Sequence, residues 1–365
     1  MADRIYLIGT GHIAASHVEA AGRLEQPFSE VHAADANPAA LSSFCQQFPA
    51  VRPHRTVEDL LSSPANEADV VVVATPPASH AALSIQALSS GRHVLCEKPL
   101  AMTMEEARRM LEAARSAGRH LGCCSTRFID TVCAKELRDL LQRGELGPLY
   151  HVRWQVRLAR SRTGIDYQPG TPWFVDRARS GGGVLMDWSP YDMTLLNDIL
   201  RPSRVDVRHA WMATPQTHLD QPPPVLDVEF HVGAAMVYHV GEHRVPVTFE
   251  RASCTHGTPG TLCEFECERG AARLEWLAFG KPDRLIVVRD QQGKPVTEER
   301  AYPVYRPMDN PLHLFTRLVR GGTGREDLRT RVADDRMVFN FGCLQLIYET
   351  AASGAATSLS LDDLR

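Results

Sequence analysis

Three side chains in this sequence are of types suited to moving a proton and steadying charge: Lys98, Asp187 and Tyr191. Lys98 follows the apolar run Val94-Leu95-Cys96, where a buried strand gives way to a charged pair and a proline in Glu97-Lys98-Pro99. In an open parallel sheet ligands bind at the carboxyl ends of the strands, so such a strand delivers its lysine to a working edge. The plainer reading is a solvated charge pair. Asp187 and Tyr191 stand four apart in Ser180-Gly181-Gly182-Gly183-Val184-Leu185-Met186-Asp187-Trp188-Ser189-Pro190-Tyr191-Asp192, and on one helix they share a face. Pro190 allows another reading, a helix start with Ser189 as N-cap and Pro190 at the first position, which leaves Tyr191 as a packing aromatic.

Chemistry at such residues needs a partner, and the first third of the chain has the grammar of a dinucleotide site. The strand Arg4 to Ile8 runs into Gly9-Thr10-Gly11-His12-Ile13-Ala14 and then a helix to about Arg23. The first glycine permits the tight turn, the second lets backbone approach a pyrophosphate, and Ala14 allows close helix-strand packing. A second strand, Glu30 to Ala34, ends in Asp35, about 20 residues on, where a carboxylate takes the adenosine ribose hydroxyls. Asp35 repels a 2′-phosphate and Ala36 offers no guanidinium, so NAD is expected rather than NADP. The β-branched run Ala68 to Ala74 reads as a strand covered on both faces, and its loop, Ala74-Thr75-Pro76 with His80, lies at the same edge as Gly9, Glu97 and Lys98. Alternating strands and helices, among them helices at Pro38–Phe48, Ala81–Ser90 and Met104–Ala117, predict a doubly wound parallel sheet.

From Tyr150 the pattern changes to strands with one face buried, near His151–Leu158, Val205–Met212, Val225–His231, Ala235–Val240, Pro246–Arg251, Leu262–Cys267, Ala272–Trp276 and Leu285–Val288. Two helices are expected to close the chain, about Pro311 to Val319 and Asp327 to Ala352. The fold class is therefore α/β: an N-terminal Rossmann-type domain over residues 1–125, then an α+β domain over 126–365 with an open, largely antiparallel sheet, whose last helices pack back on the first domain. With 365 residues, 44% apolar composition and a formal net charge of −4 without long runs of one sign, neither nucleic acid nor a membrane surface is an expected partner. No hydrophobic leader or membrane-length run is seen, which predicts a cytoplasmic protein. Nine scattered cysteines argue against a disulfide framework. Cys263 and Cys267 alternate with three glutamates as in a half-buried strand, and no metal site is expected.

Taken in order, Gly9-x-Gly11-x-x-Ala14, Ala74-Thr75-Pro76 with His80, Glu97-Lys98-Pro99, Arg127-Phe128 and Gly181-Gly182-Gly183-x-x-x-Asp187-x-x-x-Tyr191 resemble the glucose-fructose oxidoreductase and inositol dehydrogenase family, Gfo/Idh/MocA, over nearly the whole chain. The resemblance implies hydride transfer between a nicotinamide cofactor and a carbinol or carbonyl of a sugar, cyclitol or related polyol. It makes Lys98 the catalytic lysine, Asp187 the substrate-binding aspartate and Tyr191 the acid/base, where histidine is commoner in the family. Ser189, Pro190 and Thr194 also depart from the family pattern. A free tyrosine titrates near about 10, and an ammonium beside it favours the phenolate, so Lys98 and Tyr191 are expected to act as a pair. Arg127, Trp154, Arg162, Tyr167 and Trp173 are the further substrate-facing candidates. A homodimer or homotetramer is expected from the uncovered sheet face. Rival functions are a redox-neutral, NAD-dependent glycoside-cleaving enzyme and a non-catalytic sensor of NAD or sugar.

Overall fold

The computed structural model describes residues 3–159, 171–215, 222–276, 282–304, 306–321 and 324–365. The chain falls into two compact units, Met1–Arg127 with Arg306–Phe341 and Leu364, and Phe128–Tyr305 with Gly342–Asp363 and Arg365.

In the first unit β1 (Arg4–Ile8), α1 (His12–Gly22), β2 (Glu30–Ala34), α2 (Pro38–Gln47), β3 (Val51–His54), α3 (Val57–Leu61), β4 (Val70–Val73), α4 (His80–Ser89), β5 (His93–Cys96), α5 (Met104–Ala117) and β6 (Leu121–Cys123) alternate along the chain. Their strands form one sheet in the order β3-β2-β1-β4-β5-β6, parallel at every pairing. Val70 to Val73 are completely buried, as an unbroken valine run requires when helices cover both faces. Strand order reverses between β1 and β4, the point at which an open α/β sheet leaves a crevice beyond its carboxyl edge. The loops after these two strands carry Gly9 to Gly11 and Thr75 to Ser79.

The second unit opens with α6 (Val132–Gln142), a helix absent from the sequence expectation, then β7 (Leu149–Arg157) and the short helices α7 (Arg177–Ser180) and α8 (Val184–Asp187) before α9 (Ser189–Leu200). The strands β8 (Arg204–Ala213), β9 (His231–Val240), β10 (His243–Ala252), β11 (Gly260–Cys267), β12 (Gly270–Glu275), β13 (Arg284–Gln291) and β14 (Lys294–Ala301) follow. Residues 225–230, expected as a strand, lie outside β9; Val228 and Phe230 instead bury against Val175 and Cys254 in a separate small cluster. Nearly every residue of β14 is exposed, so its sequence shows no buried face to read.

The chain ends with α10 (Asn310–Arg320), α11 (Arg325–Val332), α12 (Asp335–Ser353) and β15 (Thr357–Ser360). The single helix expected from Asp327 to Ala352 is thus two helices, broken at Asp334, which has φ 55°. The nine-stranded sheet runs β14-β13-β12-β11-β7-β10-β9-β8-β15 and is antiparallel except where β7 and β10 pair in parallel. Val152, Trp154 and Val156 alternate with half-exposed or exposed Arg153, Gln155 and Arg157, giving one buried face and one open one.

Candidate active site

The dinucleotide edge of the first unit is built on glycines for two different reasons. Gly9 has φ +95°, and a Cβ there would lie 2.6 Å from the Ala74 carbonyl oxygen, so only glycine closes the β1 turn against the β4 loop. Gly11 caps α1 without a side-chain hydrogen bond, and a Cβ on it would meet nothing within 4 Å. Open space at the start of an eleven-residue helix is a cradle that fits a pyrophosphate. Asp35 is held in place: its Oδ2 accepts from the Thr10 amide (2.7 Å) and hydroxyl (2.9 Å), and its Oδ1 from the Asn37 amide (2.7 Å). Oδ2 already accepts two hydrogen bonds, whereas Oδ1 accepts one and keeps accepting capacity for a ribose hydroxyl. Thr10 and Ala74 are buried, Ile13 and Thr75 half-buried, and His12 and Pro76 exposed.

Glu97 is buried directly after β5, where its Oε1 lies 2.9 Å from His17 Nε2 of α1 and its Oε2 accepts from the Lys98 amide at 3.1 Å. Burial pushes the Glu97 pKa up, but the His17 hydrogen bond and the charges of His17, Arg127 and Lys98 outweigh it and hold it at about 2. Cys124 Sγ completes a buried group with His17 and Glu97, their ligand-type atoms within 4.8 Å of one another. A His-Glu separation of 2.9 Å is that of a hydrogen bond, and burial pushes the Cys124 thiol well above its usual range. The group is a clamp on Glu97, which fixes the backbone from which half-buried Lys98 projects. The peptide bond between Lys98 and Pro99 is cis.

In the second unit the three glycines solve three separate problems. Gly181 ends α7 in the left-handed region at φ +81°. A Cβ on Gly182 would overlap the Tyr348 hydroxyl, and one on Gly183 would overlap the Glu229 carbonyl. Buried Glu229 accepts from the Gly183 amide at both oxygens (3.0 Å), from the Leu185 amide (3.1 Å), from the Tyr348 hydroxyl (2.8 Å) and from Arg177 Nη2 (3.3 Å). It caps α8, whose last residue is Asp187. Burial, and then the Glu229 charge, push the Tyr348 phenol well above its usual range, which keeps it a donor.

Pro190 lies in the first turn of α9, where its missing N–H is no loss. The helix starts at Ser189 with Trp188 as N-cap, so Asp187 and Tyr191 sit on consecutive helices joined at Trp188 rather than on one. Helical bonding nevertheless continues across the joint, from the Trp188 amide to Val184 O (3.0 Å) and from the Tyr191 amide to Trp188 O (3.1 Å). Tyr191 is 2% exposed, its ring edge-on to Phe128 at 5.3 Å between centroids. Behind it Asp192 accepts from Trp154 Nε1 (2.9 Å) and from Arg251 Nη1 (3.2 Å), and all three are completely buried. Burial raises the Asp192 pKa and the Arg251 charge opposes it. The Arg251 guanidinium also lies over the Trp188 ring, 5.1 Å from its centroid.

Trp154, expected at the cleft from its strand, therefore points into the core, where it orients Asp192. Trp173 stacks on Phe174 at 3.9 Å in the turn Pro172–Val175 and is half-buried. Arg127 is half-buried in the turn Cys124–Phe128. Arg162 and Tyr167 lie outside the described residues. His17, Glu229 and Arg251 were not foreseen, and Asp192, legible only as a first-turn acid after Pro190, proves to bond Trp154 and Arg251 instead. Arg251 had a signal, a charge on the apolar face Val245, Val247, Phe249 of β10; nothing local marks Glu229.

A parallel sheet with a glycine turn at its crossover, in a chain whose other unit joins a mixed sheet to two consecutive helices bearing Asp187 and Tyr191, defines a two-unit dinucleotide-binding protein of the Rossmann class. The chain belongs to the Gfo/Idh/MocA family: the model for the oxidoreductase family, NAD-binding Rossmann fold, matches residues 4–123, and that for the family's C-terminal domain matches residues 134–273. It is 35% identical to the 1,5-anhydro-D-fructose reductase of Ensifer adhaerens over 40% of this chain and 41% of that one. It is 40% identical to the D-glucoside 3-dehydrogenase of Escherichia coli K12 over 33% of this chain and 32% of that one. The chain thus spans less than half the length of these relatives. In fold it matches an inositol dehydrogenase homologue from Azotobacter vinelandii complexed with NAD+, with a TM-score of 0.75 at 20% identity over 99% of this chain and 97% of that one.

Proposed function

We propose that this protein is an NAD-dependent oxidoreductase that moves a hydride between nicotinamide and a carbinol or carbonyl of a sugar, cyclitol or related polyol. The observation that carries the reading is the Asp187–Tyr191 joint, a carboxylate and a phenol set one helical turn apart by Glu229 below and Asp192–Arg251 behind. A glycine-bounded helix start and a fixed ribose-type carboxylate support the cofactor half, with Gly9, Thr10, Gly11, His12, Ile13, Asp35, Ala74, Thr75 and Pro76 as the holding residues; His80 and Glu97, expected among them, are buried and bonded within the protein, so they support the cofactor edge from behind. NAD, when bound, supplies the hydride acceptor or donor.

Each proposed role follows from charge. A proton must leave or join the carbinol oxygen as the hydride moves, and Tyr191 carries it. Lys98 donates to that oxygen and offsets its developing negative charge. Asp187 accepts from a neighbouring substrate hydroxyl and so fixes which carbon reacts. Arg127 and Trp173 remain candidates for further substrate contacts. The names of the two relatives, an anhydrofructose reductase and a glucoside dehydrogenase, support a substrate among sugars and their derivatives. All nine cysteines are free, which suits the cytoplasm, and the open face of the mixed sheet suits a homodimer or homotetramer. Among the described residues no helix is long and apolar enough to cross a membrane.

A screen of inositols, aldoses, ketosugars, glucosides and sugar acids with NAD and NADP, followed by nicotinamide absorbance, tests the reading. Net reduction of NAD by one class is expected; bound NAD with no net change across the panel would reject it in favour of redox-neutral cleavage or sensing.

A further inference from the structure

Two buried histidines of the first unit sit in opposite surroundings. His93 of β5 has its Nε2 3.0 Å from the Glu67 carbonyl oxygen and its Nδ1 3.0 Å from the His120 amide nitrogen. One acceptor and one donor suit a neutral ring in a single tautomer, and burial, with His120 nearby, holds its pKa at about 4. His80, the first residue of α4, is completely buried, with Nδ1 2.8 Å from the Pro99 carbonyl oxygen and Nε2 2.8 Å from the Thr75 carbonyl oxygen. Both neighbours are acceptors. A neutral imidazole has one N–H, so it would donate to only one carbonyl and press a bare nitrogen lone pair against the other at hydrogen-bond distance. The imidazolium donates to both.

Burial draws the His80 ring below the usual histidine range, and the two carbonyls and the nearby Glu97 carboxylate pull the other way. Lys98 is the other charged group facing it, and it opposes protonation. Geometry decides between these pulls. The neutral ring forfeits one hydrogen bond and retains a repulsive contact, whereas the charged ring makes two charge-assisted bonds, which are the stronger kind.

The two carbonyls belong to adjacent loops at the edge where Lys98 emerges. The ladder between β4 and β5 ends with the Glu97 amide donating to the Val73 carbonyl at 2.9 Å. Beyond that bond the chains part, one into the Thr75–Ser79 turn and the other into Lys98-Pro99. We propose that His80, as a buried imidazolium, is a positioning residue that straps the Thr75 turn to Pro99 and thereby holds Lys98 in register with the cofactor loop. The ionisation stands on this geometry alone; the effect on turnover rests on the proposed function of Lys98.

Histidine-selective 15N NMR of the full-length protein, with His80→Gln assigning the signal, reads the charge directly. Between pH 6 and 8.5 both His80 ring nitrogens are expected to be protonated, while His93 shows one bare nitrogen. A bare nitrogen on His80 at pH 7 overturns the proposal. Neutron diffraction of wild-type crystals gives the same readout if His80→Gln does not fold. With a substrate in hand, folded His80→Gln should lose about 10- to 100-fold in kcat from a displaced lysine and bind NAD more weakly. Unchanged kcat and NAD affinity in that variant would overturn the positioning role. If the wild type turns over nothing, the proposed function fails while the NMR result and the NAD affinity of His80→Gln still decide His80.

Discussion

Glu229 and Gly183 are locked to each other twice: both Glu229 carboxylate oxygens lie 3.0 Å from the Gly183 amide, and the Glu229 backbone carbonyl fills the space a Gly183 side chain would occupy. The same carbonyl accepts from the Val184 amide at 2.9 Å. A single residue on the loop before β9 therefore both caps α8 and demands glycine at its N-cap, and this sets where Asp187 points.

Gly183→Ala has no room for its methyl without moving backbone, so it should lose about 1–3 kcal/mol or more in urea unfolding, as overpacked sites do. An alanine variant as stable as wild type would show that the α8 turn is looser than these contacts imply. Glu229→Gln keeps the shape but replaces a charged acceptor of buried N–H groups, and a loss of about 1–3 kcal/mol is expected.

Tyr191→Phe removes one hydroxyl from a ring that keeps its edge-on contact with Phe128. Loss of acid/base transfer costs about 100- to 10,000-fold in kcat, with melting temperature and NAD affinity near wild type. Turnover within a few-fold of wild type would remove Tyr191 from the proton path.

Asp35→Ser tests the cofactor choice. It deletes the charge that opposes a 2′-phosphate and leaves a hydroxyl for the Thr10 and Asn37 amides that now bond the carboxylate. The ratio of kcat/KM for NADP over NAD should rise at least about tenfold; a wild type that already prefers NADP would contradict the role given to Asp35.

His93 gives a pH signature. Its folded pKa of about 4 lies below the usual histidine value, so its contribution to stability is full above about pH 6.5 and is lost as pH falls toward 4. A displacement of that size is worth about 3 kcal/mol over the window. His93→Gln, which keeps one donor and one acceptor, should flatten the dependence of unfolding free energy on pH between 6.5 and 4. An unaltered slope would place the acid sensitivity elsewhere.

Local patterns in the chain were enough for the α/β class, the dinucleotide turn and the strand that presents Lys98, because glycine geometry, valine runs and strand-helix alternation are written in neighbouring residues. The period of two likewise marked most strands of the mixed sheet, but it is the same for a face that meets solvent and one that meets a core, so Trp154 was placed at a cleft and proved to hold Asp192 from within. Asp334 shows the same limit in a helix. The sequence reads through it, yet its amide donates to Leu121 O (2.7 Å) and its Oδ1 accepts from the Leu121 amide (3.0 Å), so a strand far away in sequence breaks the helix there. Tertiary structure alone decided the clamp of His17 on Glu97, the cap of Glu229 on α8 and the two carbonyls facing His80, because each depends on which distant atoms a buried polar group meets.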